Sequence, residues 1–147
     1  MEMKRGLLAM LLVLLFAGQT QAQDWVLDMK TARKTASEEN KNILLVFSGS
    51  DWCGPCIRLE TEIWSSEAFM KYANENLVLL KADFPKKKAN RLSAEQQGKN
   101  DQLAEKYNEQ GAFPFVILMD QNGKILRRAS YEKLTPEQYI ANLESLK

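Results

Sequence analysis

The first of the two cysteines of this chain lies six positions after the end of a run of five apolar residues, 43–47, and both belong to the segment Trp52-Cys53-Gly54-Pro55-Cys56. The apolar run is typical of a buried strand, and the cysteine pair falls where that strand gives way to a helix. Two thiols at positions i and i+3 can form and break a small disulfide. The sequence therefore predicts a strand–helix junction that carries a redox-active cysteine pair.

The composition excludes several function classes. The chain has 147 residues, 45% of them apolar, which is one domain with a normal core. A net charge of +1 lacks the basic excess of a nucleic-acid-binding protein, so we expect no nucleic-acid partner. The absence of histidine excludes histidine-dependent catalysis and histidine metal sites. Zinc would need two further ligands beside the two cysteines. Ile57 follows Cys56, which excludes the C-x-x-C-H haem pattern. We therefore predict no metal and no cofactor.

The N-terminus reads as a secretory signal peptide. Lys4 and Arg5 precede a short apolar run, and the small residues Thr20 and Ala22 stand at the −3 and −1 positions of a cleavage site. The run is shorter than the roughly 20 residues of a membrane span. We therefore predict a cleaved signal peptide at 1–22 and a periplasmic or secreted domain at 23–147. That domain has 18 basic and 18 acidic side chains and meets oxidising conditions.

The order of helical and strand patterns predicts a layered α/β domain around a central mixed β-sheet flanked by helices. A capping box, Thr135-Pro136-Glu137-Gln138, marks the start of the last helix. The predicted elements are a helix over 25–40, a strand over 43–47, a helix from the cysteine motif towards 63, a short helix over 65–73, a strand over 77–82, a surface helix over 93–107, a β-hairpin over 115–128 and a helix over 135–146.

With these elements in place, the sequence resembles the thioredoxin superfamily over essentially all of 24–147. The cysteine motif after a strand carries the resemblance most strongly. Gly111-Ala112-Phe113-Pro114 stands where the superfamily has its cis-proline, and the turn 121–124 precedes a C-terminal helix as it does there. The resemblance implies a thioredoxin-like fold. The basic insert after Asp83 is similar to that of a secreted bacterial branch of thioredoxin-like proteins.

The cysteine pair suits thiol–disulfide exchange, whose nucleophile is the thiolate. Cys53 is expected at a helix N-terminus, which favours negative charge, and Cys56 follows one turn later on the same face. We assign Cys53 as the attacking thiol and Cys56 as the resolving thiol. Pro55 fits the first helical turn, where no hydrogen bond is lost. Gly54-Pro55 also stands between the cysteines of reducing thioredoxins, so the resemblance implies a fairly reducing potential.

One departure from the thioredoxin pattern concerns the proton of Cys56. Cytoplasmic thioredoxins have a buried Asp six residues before the first cysteine, and this chain has Phe47 there. The aligned strand lysine corresponds to Lys81, which can also be read as an ordinary strand-end lysine. We expect the proton of Cys56 to leave by another route, through water or through Glu60.

The candidate substrate-binding residues are Trp52, Gly54, Pro55, Phe113 and Pro114. The resemblance implies that a cis Pro114 brings the Phe113 backbone beside the cysteines, where an extended peptide pairs as an added strand. Trp52 is expected to flank Cys53. Phe113 and its neighbour two residues on, Phe115, either form an apolar lip or pack in the core.

Two charged features complete the candidate list. Asp51 reads as a solvated charge rather than a catalytic acid. The basic segment 85–91 reads as a solvated loop, with docking to an acidic partner or a membrane surface as the alternative.

The sequence therefore predicts a monomeric, secreted protein disulfide reductase or isomerase that acts on protein thiols and disulfides. A reducing protein in an oxidising compartment must be re-reduced, and we expect a membrane electron donor. The competing interpretation is a non-catalytic binding module or adaptor whose cysteine pair is vestigial or regulatory.

Overall fold

The computed structural model describes residues 24–145, whose strands form one four-stranded mixed sheet. The strands are β1 (Asn42–Ser48), β2 (Leu77–Asp83), β3 (Phe115–Met119) and β4 (Ile125–Ala129). Their order in the sheet is β2-β1-β3-β4, with β1 parallel to β2 and antiparallel to β3, and β3 antiparallel to β4. The predicted mixed sheet is confirmed, while the predicted signal peptide lies outside the described residues.

Helices cover both faces of the sheet. Side chains alternate between the faces along a strand, so β1 supplies Leu44 and Val46 to one core cluster and Ile43, Leu45 and Phe47 to the other. The cluster that contains Leu44 is covered by four elements: α2 (Gly54–Leu59), a π-helical turn (Glu60–Trp64), α3 (Glu67–Asn76) and α5 (Pro136–Glu144). The cluster that contains Phe47 is covered by α1 (Met29–Glu39) and α4 (Ala94–Tyr107). We call these the first and the second core cluster.

The predicted start of the last helix is confirmed in detail. The Thr135 hydroxyl accepts a hydrogen bond from the Gln138 backbone N–H at 3.2 Å, and the Gln138 side chain accepts one from the Thr135 N–H at 2.9 Å. These two bonds satisfy N–H groups that a helix end leaves unpaired. No helix within residues 24–145 is long and apolar enough to cross a membrane.

The prediction of a first helix from Trp25 was wrong by one turn. Asp28 caps α1 by accepting the Thr31 N–H at 2.9 Å, and Val26 lies before it in extended backbone that bridges Leu80 in parallel. Trp25 packs against the first core cluster, whereas Met29 packs against the second. The spacing of four between Trp25 and Met29 is typical of one face of a helix, but the two side chains lie on opposite sides of the sheet.

Candidate active site

Three chain segments meet at the carboxyl end of β1. In the sheet register Ser48 pairs with Asp83, where β2 ends, and Phe47 pairs with Phe115, where β3 begins. The segments that continue from these points, 49–53, 84–91 and 112–114, therefore converge beside the start of α2. This convergence places the predicted cysteines and the predicted substrate-binding residues at one end of the sheet.

Cys53 and Cys56 are joined by a disulfide with a Cα–Cα distance of 5.2 Å. Cys53 is the N-cap residue of α2, and its Sγ accepts the backbone N–H of Cys56 at 3.3 Å. Pro55 lies in the first turn, where a proline removes no helical hydrogen bond. An N–H directed at the Cys53 sulfur favours the thiolate form once the disulfide opens, because the negative charge gains a hydrogen-bond donor.

The disulfide is almost covered by its surroundings. Cys53 is 5% exposed and Cys56 is 4% exposed, while Gly54 and Pro55 between them are exposed. The backbone N–H of Gly49 also points at the Cys56 Sγ, at 3.5 Å. A partner that reacts with the disulfide must therefore press closely against the surface that Gly54 and Pro55 form.

Trp52 belongs to an aromatic group beside Cys53. Its indole Nε1 donates to the Phe84 carbonyl oxygen at 2.7 Å, and its ring meets that of Phe113 edge-on at 5.4 Å. Phe84 closes the group, with its ring 5.5 Å from Phe113. A Cβ added at Gly49 would overlap the Trp52 ring, so the close approach of backbone and indole requires glycine there. Trp52, the chain neighbour of Cys53, stays 39% exposed.

The Phe113–Pro114 peptide bond is cis, as the resemblance implied. Pro114 is buried and Phe113 is half-buried at the edge of the site. The Phe115 ring stacks on that of Phe47 at 6.2 Å, whereas the Phe113 ring contacts those of Trp52 and Phe84. All three phenylalanines, Phe84, Phe113 and Phe115, also pack against the second core cluster, so the apolar lip stays a prediction.

Asp51 anchors the basic segment 85–91 to the segment that carries the cysteines, a role that sequence reasoning missed. Its carboxylate accepts the backbone N–H groups of Lys86 and Lys87 at 2.9 and 3.0 Å and the Asn90 side-chain amide at 3.0 Å. The Lys86 hydrogen bond, followed by that from Asn90, lowers the pKa of the Asp51 carboxyl below its usual value. Asp51 is therefore a partly exposed charge that also holds the backbone of a neighbouring segment, and no contact within residues 24–145 gives it a catalytic role.

A second carboxylate supports the same connection. Asp83 accepts the Ser50 backbone N–H at 2.9 Å and the Ser50 hydroxyl at 2.6 Å. Within residues 24–145, no group of three Cys, Asp or Glu side chains could hold a metal ion. Asp51 and Asp83 join the loops through these hydrogen bonds.

The family of the chain follows from a match over most of its length. A family model described as a thioredoxin-like domain matches residues 29–147. The chain belongs to the thioredoxin-like family. The disulfide bond reductase DsbH of Chlamydia pneumoniae is 34% identical over 114 residues, which cover 78% of this chain and 67% of that protein. The chain is a thiol–disulfide oxidoreductase.

Further similarities agree with this assignment. The thioredoxin-related protein DsbJ of Chlamydia pneumoniae is 29% identical over 125 residues, which cover 83% of this chain but 35% of that longer protein. A solved structure of a DsbH oxidoreductase superposes with a TM-score of 0.78 at 31% identity, covering 86% of this chain and 85% of that one. A thioredoxin from Thermus thermophilus shares the fold, with a TM-score of 0.63 at 12% identity over 85% of this chain and 87% of its own.

The structure also shows where Phe47, which stands in place of the thioredoxin aspartate, and the aligned Lys81 lie. Phe47 is fully buried in the second cluster, whereas Lys81 pairs in register with Val46, on the face that α2 covers. The Lys81 ammonium lies 3.0 Å from the Glu60 carboxylate and 4.3 Å above the Trp25 ring. The carboxylate beside the strand lysine is therefore supplied by the turn that continues α2.

Proposed function

We propose that this oxidoreductase reduces disulfides of secreted proteins, with Cys53 as the attacking thiol and Cys56 as the resolving thiol. The observation that carries the proposal is the hydrogen bond from the Cys56 backbone N–H to the Cys53 Sγ at the start of α2. It gives Cys53 the donor that a thiolate needs, and Gly54-Pro55 is the pair found in reducing thioredoxins. The relative DsbH is itself a disulfide bond reductase.

The proposed reaction starts from the dithiol form. The Cys53 thiolate attacks one sulfur of the client disulfide, that S–S bond breaks, and the first client thiolate leaves. The Cys56 thiolate then attacks the Cys53 sulfur, which releases the second client thiolate and closes the Cys53–Cys56 disulfide. Two electrons pass to the client, and a dithiol donor must return two electrons before the next cycle. Isomerisation uses the same first step but releases a rearranged client before Cys56 reacts.

The proposed client site is the surface formed by Trp52, Gly54, Pro55, Phe113 and Pro114. Phe113 lies outside β3, and within residues 24–145 neither its N–H nor its C=O makes a backbone hydrogen bond. An extended client segment can pair with these groups as an added strand. The aromatic rings of Trp52 and Phe113 then lie against the client beside its disulfide.

The setting of the reaction is also a proposal. We infer export through the signal peptide at 1–22, a periplasmic or secreted monomer over 23–147, and re-reduction by a membrane electron donor. N-terminal sequencing of the protein recovered from a bacterial envelope tests the first point. Recovery of a chain that still begins at Met1 would contradict cleavage.

Insulin reduction with dithiothreitol as the recycled reductant tests the activity. The wild-type chain should turn over, and Cys53→Ala should not. Cys56→Ala should instead hold client proteins on Cys53 as mixed disulfides, which mass spectrometry identifies. An adaptor with a vestigial cysteine pair would show no turnover that depends on Cys53 and would yield no mixed disulfides from native envelopes.

A further inference from the structure

The segment after β2 brings a cluster of positive charges to the edge of the active site. Its four cationic side chains are exposed, and within residues 24–145 none of them lies within salt-bridge distance of a carboxylate. We call residues 84–91 the basic loop. Its cationic residues are Lys86, Lys87, Lys88 and Arg91.

Within residues 24–145 neither Asp51 nor Asp83 forms a salt bridge with these cations, although the charge of Lys87 is among the causes that lower the pKa of Asp51. Asp51 accepts two backbone N–H groups and one amide of the basic loop, and Asp83 accepts both of its side-chain hydrogen bonds from Ser50. These bonds hold the backbone of the loop and leave the ammonium groups of its lysines available. The cationic side chains of the loop are therefore exposed, while Asp51 fixes the path of its backbone.

Lys86 occupies a defined place over the residue that flanks Cys53. Its Nζ lies 3.9 Å from the centroid of the Trp52 ring, and its backbone N–H is bound by Asp51. Cation–π contact and the backbone bond together hold an ammonium group on the proposed client surface. A client segment that touches Trp52 therefore meets a positive charge at the same time.

We propose that Lys86 and the basic loop select client disulfides that are flanked by acidic residues. The inference rests on the proposed function and adds the chemistry of its substrate. An acidic client segment fits the observations better than a membrane surface does. The Lys86 ammonium lies on the Trp52 ring, which belongs to the proposed client surface. The rest of the domain carries no basic excess that would hold it on anionic lipid.

Two synthetic peptides that differ only in charge test the proposal. Each carries one disulfide, flanked by glutamates in one peptide and by lysines in the other, and dithiothreitol re-reduces the full-length protein. We expect kcat/KM for the acidic peptide to exceed that for the basic peptide by about tenfold, mainly through KM. Raising the ionic strength from about 0.02 M to about 0.5 M should bring the ratio close to one.

Variants of Lys86 and of a distant lysine give the matched comparison. Lys86→Glu should lower the acidic-to-basic ratio at least about fivefold, and Lys86→Met should lower it less because it removes the positive charge without reversing it. Lys124→Glu should leave the ratio unchanged, because Lys124 follows the β3–β4 turn at the opposite end of the sheet. A change in Cys53 reactivity would alter both rates equally, so the ratio reports charge selection.

The possible outcomes separate the two proposals. Equal rates for both peptides, or a ratio that Lys86→Glu does not change, would overturn acidic selection and leave disulfide reduction standing. Failure to reduce either peptide would overturn the proposed function and this inference with it. Sedimentation with phosphatidylglycerol vesicles that Lys86→Glu abolishes, combined with equal peptide rates, would assign the loop to a membrane instead.

Discussion

The two sides of the Cys53–Cys56 disulfide are built in different ways. The outer side consists of loop residues, Trp52, Phe84, Phe113 and Lys86, which are partly exposed and held by hydrogen bonds to Asp51 and by aromatic contacts. The inner side consists of Phe47, fully buried on one face of the sheet, and of the Glu60–Lys81 pair on the other face. The difference predicts that the proposed client contact and the proposed proton route of Cys56 can be altered independently.

The largest effect is expected on the inner side from Phe47→Asp, which installs the acid of cytoplasmic thioredoxins. Phe47 is fully buried and faces the cluster away from Lys81, so the carboxylate would find an apolar site and leave a cavity. We expect the free energy of unfolding to fall by about 3–5 kcal/mol, with no gain in turnover. Denaturant unfolding measures this loss. Phe47→Leu is the control and should lower the free energy of unfolding by less than about 1.5 kcal/mol. A Phe47→Asp variant that is as stable as wild type and turns over faster would contradict the account of the inner side.

On the outer side Gly49→Ala should displace the Trp52 indole, because the added Cβ overlaps the ring. We expect a loss of stability of about 1–3 kcal/mol and slower insulin reduction. Tryptophan fluorescence and denaturant unfolding report both changes. Gly98→Ala is the matched control, since nothing lies within 4 Å of its added Cβ in the interior of α4, and it should stabilise the protein by up to about 1 kcal/mol. Equal behaviour of the two variants would show that the Trp52 position is adaptable.

A smaller effect is expected from Glu60→Gln, which tests the proton route proposed for Cys56. The variant should slow release of the mixed disulfide by on the order of tenfold, less than a full general-base contribution because water can substitute. Stopped-flow measurements of the rate of that step at about pH 7 would check it. Glu62→Gln is the control, because the Glu62 carboxylate accepts a hydrogen bond from the Tyr131 hydroxyl. An unchanged rate in Glu60→Gln would assign the proton to water.

The smallest effect is expected from Asp51→Ala, which releases the basic loop. The pKa of Asp51 is lowered in the folded state, so its contribution to stability is present above the unfolded pKa and is lost as the pH falls through the folded one. The variant should be slightly less stable than wild type at pH 7, and the difference should vanish near pH 2. Denaturant unfolding at both pH values measures it, with Asp101→Ala as the control. A difference that persists in acid would mean that the anchoring is not ionic.

The sequence predicted the parts of this molecule that depend on local patterns. Apolar runs such as 43–47 and the capping box at Thr135 identify their elements without tertiary information. The outer side depends on residues far apart in the chain: Asp51 meets Lys86 across 35 positions, and Trp52 meets Phe84 across 32. No periodicity carries such contacts, so the Asp51 anchor, Phe84 and the place of Lys86 emerge only when strand ends are brought into register.

The inner side failed to follow from sequence for another reason. Alignment by position placed Phe47 where thioredoxins have their acid and left the proton of Cys56 to water or to Glu60. Phe47 and Lys81 face opposite sides of the sheet, and the lysine takes its carboxylate from Glu60 in the turn after α2. The ion pair of Glu60 with Lys81 depends on packing, so the sequence did not predict it.

The central claim is that Cys53 and Cys56 form a reducing pair, and its most direct test is their reduction potential. The full-length oxidised protein is equilibrated with dithiothreitol buffers of known potential, and the dithiol fraction is read by alkylation and mass spectrometry. A value close to that of thioredoxin, about −270 mV, is the result we expect. A value close to about −120 mV, typical of a strong oxidant, would contradict the proposed direction of electron flow.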